Sequence, residues 1–287
     1  MILITSANGN QGKHLIPKLL AAGHSLRACV RSEESARYLG EQGVHQVLVG
    51  DLADTAFIAE AVRGVASLYH IGPTLHAAER DIGFAMVDAA RAAGVGHFVF
   101  SSVLHAITTD LIQHEIKRDI EEHLLSSGLA FTILQPANYM LPHRLTSVFQ
   151  EDVFRLSWSL DRLQSMVDLD DVTDVVAEVL AQPETHFAAT YELAAPGRFS
   201  GHDIGRVLSE VLGRDIRVER IDSEAFIRAR MEDADPSAQK YQLRMIRAIE
   251  ARYSSHDFLG NPNVLTWLLG RSPTTFEAFV RKQSTQT

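Results

Sequence analysis

The chain has 287 residues, 46% of them hydrophobic, with a formal net charge of −9. That acid excess argues against nonspecific DNA or RNA binding, which needs clustered Lys and Arg to displace counterions. The single cysteine excludes an intrachain disulfide and a Cys-rich metal site.

The length fits one large α/β domain, or one domain plus a smaller lobe. No run of about 18 apolar residues occurs, so no membrane span is expected. The first strand opens at Ile2, which leaves no room for a basic leader, and a cytoplasmic protein is expected.

The first dozen residues read strand, tight turn, helix. Ile2 to Ile4 are apolar, a loop of small residues runs to Gly12, and Leu15, Ile16, Leu19 and Leu20 form a helical stripe closed by Gly23. Such a turn aims free backbone N–H groups and the positive end of a helix dipole at one spot, which suits a pyrophosphate. Gly9 and Gly12 are where a phosphate would come closest. Ser6 takes the place of the first glycine of the dinucleotide pattern, so its backbone is expected to avoid left-handed dihedrals.

Strands and helices then alternate. Strands are expected at 25–30, 45–49, 66–71, 97–100 and 131–134. Helices are expected at 33–39, 55–62, 78–93 and 111–127. Cys29 lies in the apolar second strand and reads as a small buried hydrophobe. Six strands joined by helices imply a doubly wound parallel sheet of α/β class, with ligands at the carboxyl ends of the strands.

After Pro136 the rhythm changes. Residues 137–163 have no clear period, and the acidic run from Asp168 to Asp174 opens a helix reaching Leu180. The run lacks the glycine and closing glutamate of a calcium loop, so N-capping by Asp170 or Asp171 is expected instead. Further on come a strand at 191–193, a helix over 203–212 capped by Ser200, and a strand at 216–221. Ser223 is read as another cap, 232–256 as charged helix, and 261–270 and 274–282 as short amphipathic pieces. The expected domains are a core of 1–136, with 166–194 returning to it, and a lobe of 137–165 and 195–287 over the sheet's carboxyl edge.

The second strand ends in Val30-Arg31-Ser32 without a carboxylate that would repel a 2′-phosphate. Arg31 can pair with one and stack on adenine, which favours NADP(H) over NAD(H). Asp51 and Leu52 would lie beside the adenine, or Asp51 would cap the next helix.

The loop Ser6-Ala-Asn-Gly-Asn-Gln-Gly12, Val30-Arg31, Gly50-Asp51-Leu52, His97-Phe-Val-Phe-Ser-Ser102, the stretch His114 to Leu124 and Phe131 to Met140 together resemble the NmrA-like family. Its members are atypical relatives of the short-chain dehydrogenases and reductases. The resemblance implies a Rossmann domain with a small C-terminal α/β substrate lobe, and NADP(H) as cofactor. It implies cofactor contacts from Ser6, Asn8, Gly9, Asn10, Gln11, Gly12, Arg31, Asp51, Leu52, Ile71, Gly72, Ser101, Lys117, Pro136 and Asn138. Pro73, Val103, His105, Met140 and Trp158 become candidates for contacting substrate.

The wider superfamily uses Tyr-x-x-x-Lys, the lysine holding the nicotinamide ribose and lowering the tyrosine pKa. Here Lys117 fills the lysine place, but Gln113 stands where the tyrosine would be. His114 shares the helical face of Lys117, and Tyr139 follows the sixth strand, so each is a candidate proton donor or pocket wall. No His-x-x-x-His pair exists, and no metal site is expected. A lysine without the tyrosine suits hydride transfer to a flat electron-poor acceptor of quinone, enone or carbonyl type.

A non-catalytic NADP(H) redox sensor acting on a regulatory protein partner is the alternative, and an isomerase or ring-modifying enzyme is a third reading. The expected partner is a small molecule, with no nucleic acid and no membrane, and a homodimer is left open.

Overall fold

The computed structural model describes every residue except Thr109, Ser223, 225–235 and 286–287. The expected cap at Ser223 and the start of the expected 232–256 helix lie outside the described residues.

The amino-terminal run alternates without exception: β1 (Ile2–Ile4), α1 (Asn10–Ala21), β2 (Leu26–Val30), α2 (Glu33–Glu41), β3 (Gln46–Val49), α3 (Thr55–Ala61), β4 (Ser67–Ile71), α4 (Glu79–Ala92), β5 (His97–Ser101), α5 (Ile112–Leu125) and β6 (Phe131–Pro136). Next come β7 (Asn138–Met140), a 3-10 turn at Pro142–Leu145, α6 (Thr146–Glu151), β8 (Val153–Leu156), β9 (Met166–Asp168), α7 (Leu169–Ala181) and β10 (Ala189–Leu193). The chain closes with α8 (Gly201–Leu212), β11 (Arg217–Arg220), α9 (Pro236–Ser255), α10 (Asn263–Leu269) and α11 (Phe276–Ser284).

Seven strands form one sheet in the order β10-β6-β5-β4-β1-β2-β3. Pairing is parallel from β3 through to β6. Ala188 N donates to Phe131 O and Ala137 N to Leu193 O, so β10 runs parallel to β6 as well. The sheet is the Rossmann-like α/β arrangement, extended by one strand beyond the six read from the first 136 residues. Parallel strands buried on both faces must be apolar throughout, and Leu3, Ile4, Leu26, Leu68, Tyr69, Phe98 and Phe100 are all fully buried. Each large side chain so buried contributes roughly 1.5–3 kcal/mol. The strand order reverses between β1 and β4, the switch point at which such sheets bind ligands.

The chain divides into two compact units. The first comprises 1–107, 113–135 and 172–191. The second comprises 108–112, 136–171 and 192–287. Within the second unit β7 pairs with β9 and β8 with β11, each in parallel. Residues 137–163, without period in the sequence, are thus built of two short strands, a 3-10 turn and one helix. A capping box between Ser200 and Asp203 starts α8.

The acidic run is capped differently from the expectation. The carboxylate of Asp168, not Asp170 or Asp171, accepts the N–H of Asp170 at 2.7 Å. Asp171 is fully buried and bonds Thr274 N at 2.6 Å and Arg271 at 2.8 Å. Its carboxylate joins two segments of the second unit, which removes it from the role of an N-cap. No described helix is long and apolar enough to cross a membrane, and no metal-ligating cluster occurs among the described residues.

Candidate functional site

The turn after β1 is held from below. Thr5 Oγ1 donates to Ile71 O at 3.0 Å and accepts from Ile71 N at 2.8 Å, and Ser6 Oγ donates to Ile71 O at 2.9 Å. These bonds tie the end of β1 to the end of β4. Ser6 has φ +48°, so the expectation that it avoids the left-handed region is corrected. The side-chain bond to Ile71 O holds it in a conformation that costs a non-glycine residue of order 1–3 kcal/mol.

The two glycines differ in use. Gly9 is the exposed N-cap of α1, with no side-chain cap and no acidic residue in the first turn. No side chain caps the orphan N–H groups there, and a helix start of this kind carries partial positive charge. Gly12 is buried in the first turn of α1. A Cβ on it would lie 1.9 Å from Ala7 O, so this glycine lets the helix pack on its own turn. Asn8 and Asn10 are exposed, and Asn8 donates to Ser35 Oγ at 2.9 Å. Gln11 is buried, bonding Ser101 Oγ at 2.9 Å and accepting from the Tyr69 hydroxyl.

Arg31 is exposed at the end of β2, beside the Ser32 cap of α2. Asp51 bonds the N–H of Ala53 at 2.9 Å and Leu52 is buried, while Asp54 caps α3. Cys29 is buried, and burial pushes its thiol up to about 12, so it is no nucleophile.

Lys117 is buried on α5. Its Nζ lies 2.9 Å from Glu79 Oε1 and 3.2 Å from Ser101 O, and 5.1 Å from the centre of the Phe100 ring. Gly72 opens the space above them. A Cβ there would come within 2.9 Å of Glu79 Oε1 and 3.1 Å of Lys117 Nζ. Ile71, Gly72, Ser101 and Lys117 therefore share one place at the carboxyl ends of β4 and β5. His70, under the same corner, is fully buried and its pKa is lowered to about 3, first by burial and then by the Lys117 charge.

Gln113 sits one helical turn before Lys117 and its buried Oε1 has no hydrogen-bond partner among the described residues. His114 is wholly buried, with Nδ1 2.9 Å from His105 O. That bond anchors the loop after β5, where His105 has φ +56°. Pro73 and Val103 are half-buried in the loops after β4 and β5.

Two carboxylates here were not singled out from the sequence. Glu79 opens α4, where an acid reads as a helix start. Glu121, one turn after Lys117, accepts from the Ser102 hydroxyl and from Gln135 Nε2 at 2.8 Å. Burial raises its pKa against those bonds and the Lys117 charge. The i, i+4 spacing of Lys117 and Glu121 was the one available signal.

The second unit holds the rest. Pro136 is buried. Asn138 donates to Gln164 Oε1 at 2.8 Å and accepts from Tyr253 at 3.5 Å, so both ends of its side chain are engaged. Tyr139, Met140 and Trp158 line one cavity with about 530 Å³ of atom-free space, mouth included.

Residues 1–258 match the NmrA-like family profile. The NAD(P)H azoreductase of Xenophilus azovorans is 28% identical over 229 residues, covering 78% of each chain. Quinone oxidoreductase 2 of Escherichia coli is 25% identical over 233 residues and 80% of each chain. The crystal structure of an NADPH-dependent quinone oxidoreductase from Escherichia coli superposes with a TM-score of 0.79 at 25% identity, covering 98% of this chain and 99% of that one. With a match over most of its length and relatives spanning the same extent, this chain belongs to the NmrA-like family.

Proposed function

We propose that the protein is an NADPH-dependent oxidoreductase that reduces a small, flat, electron-poor compound of quinone, enone or carbonyl type. The observation that carries this reading is the first unit's carboxyl edge. It joins an uncapped helix start at Gly9, an exposed Arg31 and a buried Lys117 under a glycine that leaves room beside it.

These residues fit a phosphorylated dinucleotide. The first-turn N–H groups of α1 would hold the pyrophosphate, and Arg31 would pair with the 2′-phosphate. Lys117 would donate to the nicotinamide ribose, and Glu79, 2.9 Å from its Nζ, holds the ammonium in place. The cofactor, when bound, supplies the hydride. Gln113 has no acidic proton to give, so the chain is better equipped for an acceptor whose reduced oxygen takes its proton from water than for alcohol oxidation. The azoreductase and quinone oxidoreductase named above are relatives whose activities agree with this choice. The core of 1–136 and 166–194 would carry the cofactor and the remaining lobe the substrate. A free Cys29 thiol and an NADPH supply both suit a cytoplasmic setting.

The test is titration with NADPH and NADH, then NADPH oxidation with simple quinones. Turnover supports the reading. Tight NADPH binding without turnover on any quinone or carbonyl defeats it and favours the redox sensor, the alternative that the glutamine at 113 keeps in view.

A further inference from the structure

The cavity of the second unit has an unusual polar lining. Its walls are mostly apolar and aromatic, with Phe199 and Phe276 among them. Four lining side chains carry nitrogen donors: Asn138, whose amide N–H goes to Gln164, and Arg144, Trp158 and Gln164. Trp158 and Gln164 are 8% and 4% exposed. Neither Trp158 Nε1 nor Gln164 Nε2 has a hydrogen-bond partner among the described residues. Gln164 cannot turn its amide to escape this, because its Oε1 already accepts from Asn138. Buried donors left unpaired are costly, which makes such a site receptive to an acceptor.

Arg144 stands in the 3-10 turn with its guanidinium carbon 5.8 Å from the centre of the Trp158 ring. Protein surrounds it closely enough that burial lowers its pKa, yet its side chain keeps exposed surface. Both hold for a group packed against protein on one side and open to solvent on the other. Arginine stays protonated there. None of the cavity's lining residues is acidic, and among the described residues no carboxylate pairs with Arg144. The cavity thus offers one fixed cation, two N–H donors and aromatic walls, with no built-in anion.

We infer that this cavity binds a planar aromatic compound bearing a carboxylate or sulfonate, the ring lying among Trp158, Phe199 and Phe276 and the anion meeting Arg144, Trp158 Nε1 and Gln164 Nε2. As the substrate site, this rests on the reductase reading above and narrows its acceptor to aromatic anions. As a binding site it stands without it. Guanidinium recognises a planar oxyanion through two parallel bonds, so both the charge and the fork matter.

The experiment uses full-length protein carrying Trp267→Phe, which leaves Trp158 as the only tryptophan. Naphthalene-2-sulfonate, which NADPH cannot reduce, is titrated against tryptophan fluorescence. Saturable quenching is expected, with affinity falling roughly tenfold or more in Arg144→Gln and less in Arg144→Lys, as loss of a charge-assisted bond implies. Gln164→Glu, which keeps the shape and adds a negative charge, is expected to weaken it as strongly. It serves as the deciding variant if Arg144→Gln does not fold.

Failure of naphthalene-2-sulfonate to bind, equal affinity in these variants, or equal affinity for uncharged 2-methylnaphthalene would overturn the inference. NADPH oxidation is measured in parallel with a panel of quinones and carbonyl compounds, both uncharged and sulfonated. Sulfonate binding without any NADPH oxidation would sink the reductase reading and leave the site, while the reverse result would sink the site alone.

Discussion

Lys117 Nζ lies 2.9 Å from Glu79 Oε1, with the lysine side chain 10% exposed and the glutamate 1%. The pair joins the start of α4 to the middle of α5 beneath Gly72. Removing one partner of a buried pair strands the other charge, at about 3–5 kcal/mol. Lys117→Met and Glu79→Gln are each expected to lose roughly that much stability in urea unfolding. The double variant should lose clearly less than their sum, because neither charge is then left alone. Additive losses would show that the two side chains are not coupled.

Gly9 and Gly12 should separate binding from folding. Alanine at Gly12 places its Cβ 1.9 Å from Ala7 O, a backbone atom that cannot swing away. Gly12→Ala is expected to express poorly or melt well below wild type. In Gly9→Ala the new Cβ meets Ser6 O at 3.1 Å on the exposed side. That variant should keep its melting temperature within a few degrees and lose NADPH affinity, measured by fluorescence titration.

Arg31 is exposed with no carboxylate of its own strand end beside it. If it pairs with a 2′-phosphate, Arg31→Ala should weaken NADPH by about 10–100-fold, the worth of a charge-assisted contact. NADH affinity should stay nearly constant. Equal loss for both cofactors would assign Arg31 to adenine stacking alone.

Acid should destabilise the first unit through two histidines. Burial lowers the pKa of His70 to about 3 and of His97 to about 4. Unfolded histidines titrate near 6.5, so between that pH and the folded values the unfolded chain binds more protons. The stability from keeping these rings neutral is complete above about pH 6.5 and is lost as pH falls towards 4. Each ring contributes at most ~1.4 kcal/mol per pH unit. Urea midpoints at pH 7 and pH 5 should therefore fall in acid, and His97→Gln should flatten the slope. An unchanged slope in that variant would mean His97 is protonated in the fold.

Much of the candidate site's edge was legible because its signals are local. A strand running straight into small residues, an arginine closing the second strand, and a lysine on the fifth helix are features of neighbouring residues, governed by backbone sterics and helical period. The parallel sheet followed from the same alternation. Where readings changed, distant groups had intervened. Ser6 takes φ +48° because Ile71 O accepts its hydroxyl. Asp171 leaves the cap to Asp168 because Arg271 and Thr274 reach it.

The sequence by itself thus determined the α/β class, the family and the residue types at the end of each strand, since hydrophobic period and turn composition act over a few residues. Only the tertiary structure decided which charges meet. Glu79 became the partner of Lys117, and Arg144, Trp158 and Gln164 came to share one cavity. Charge pairing and desolvation depend on which loops the folded backbone brings within a few ångströms, and no spacing along the chain encodes that distance.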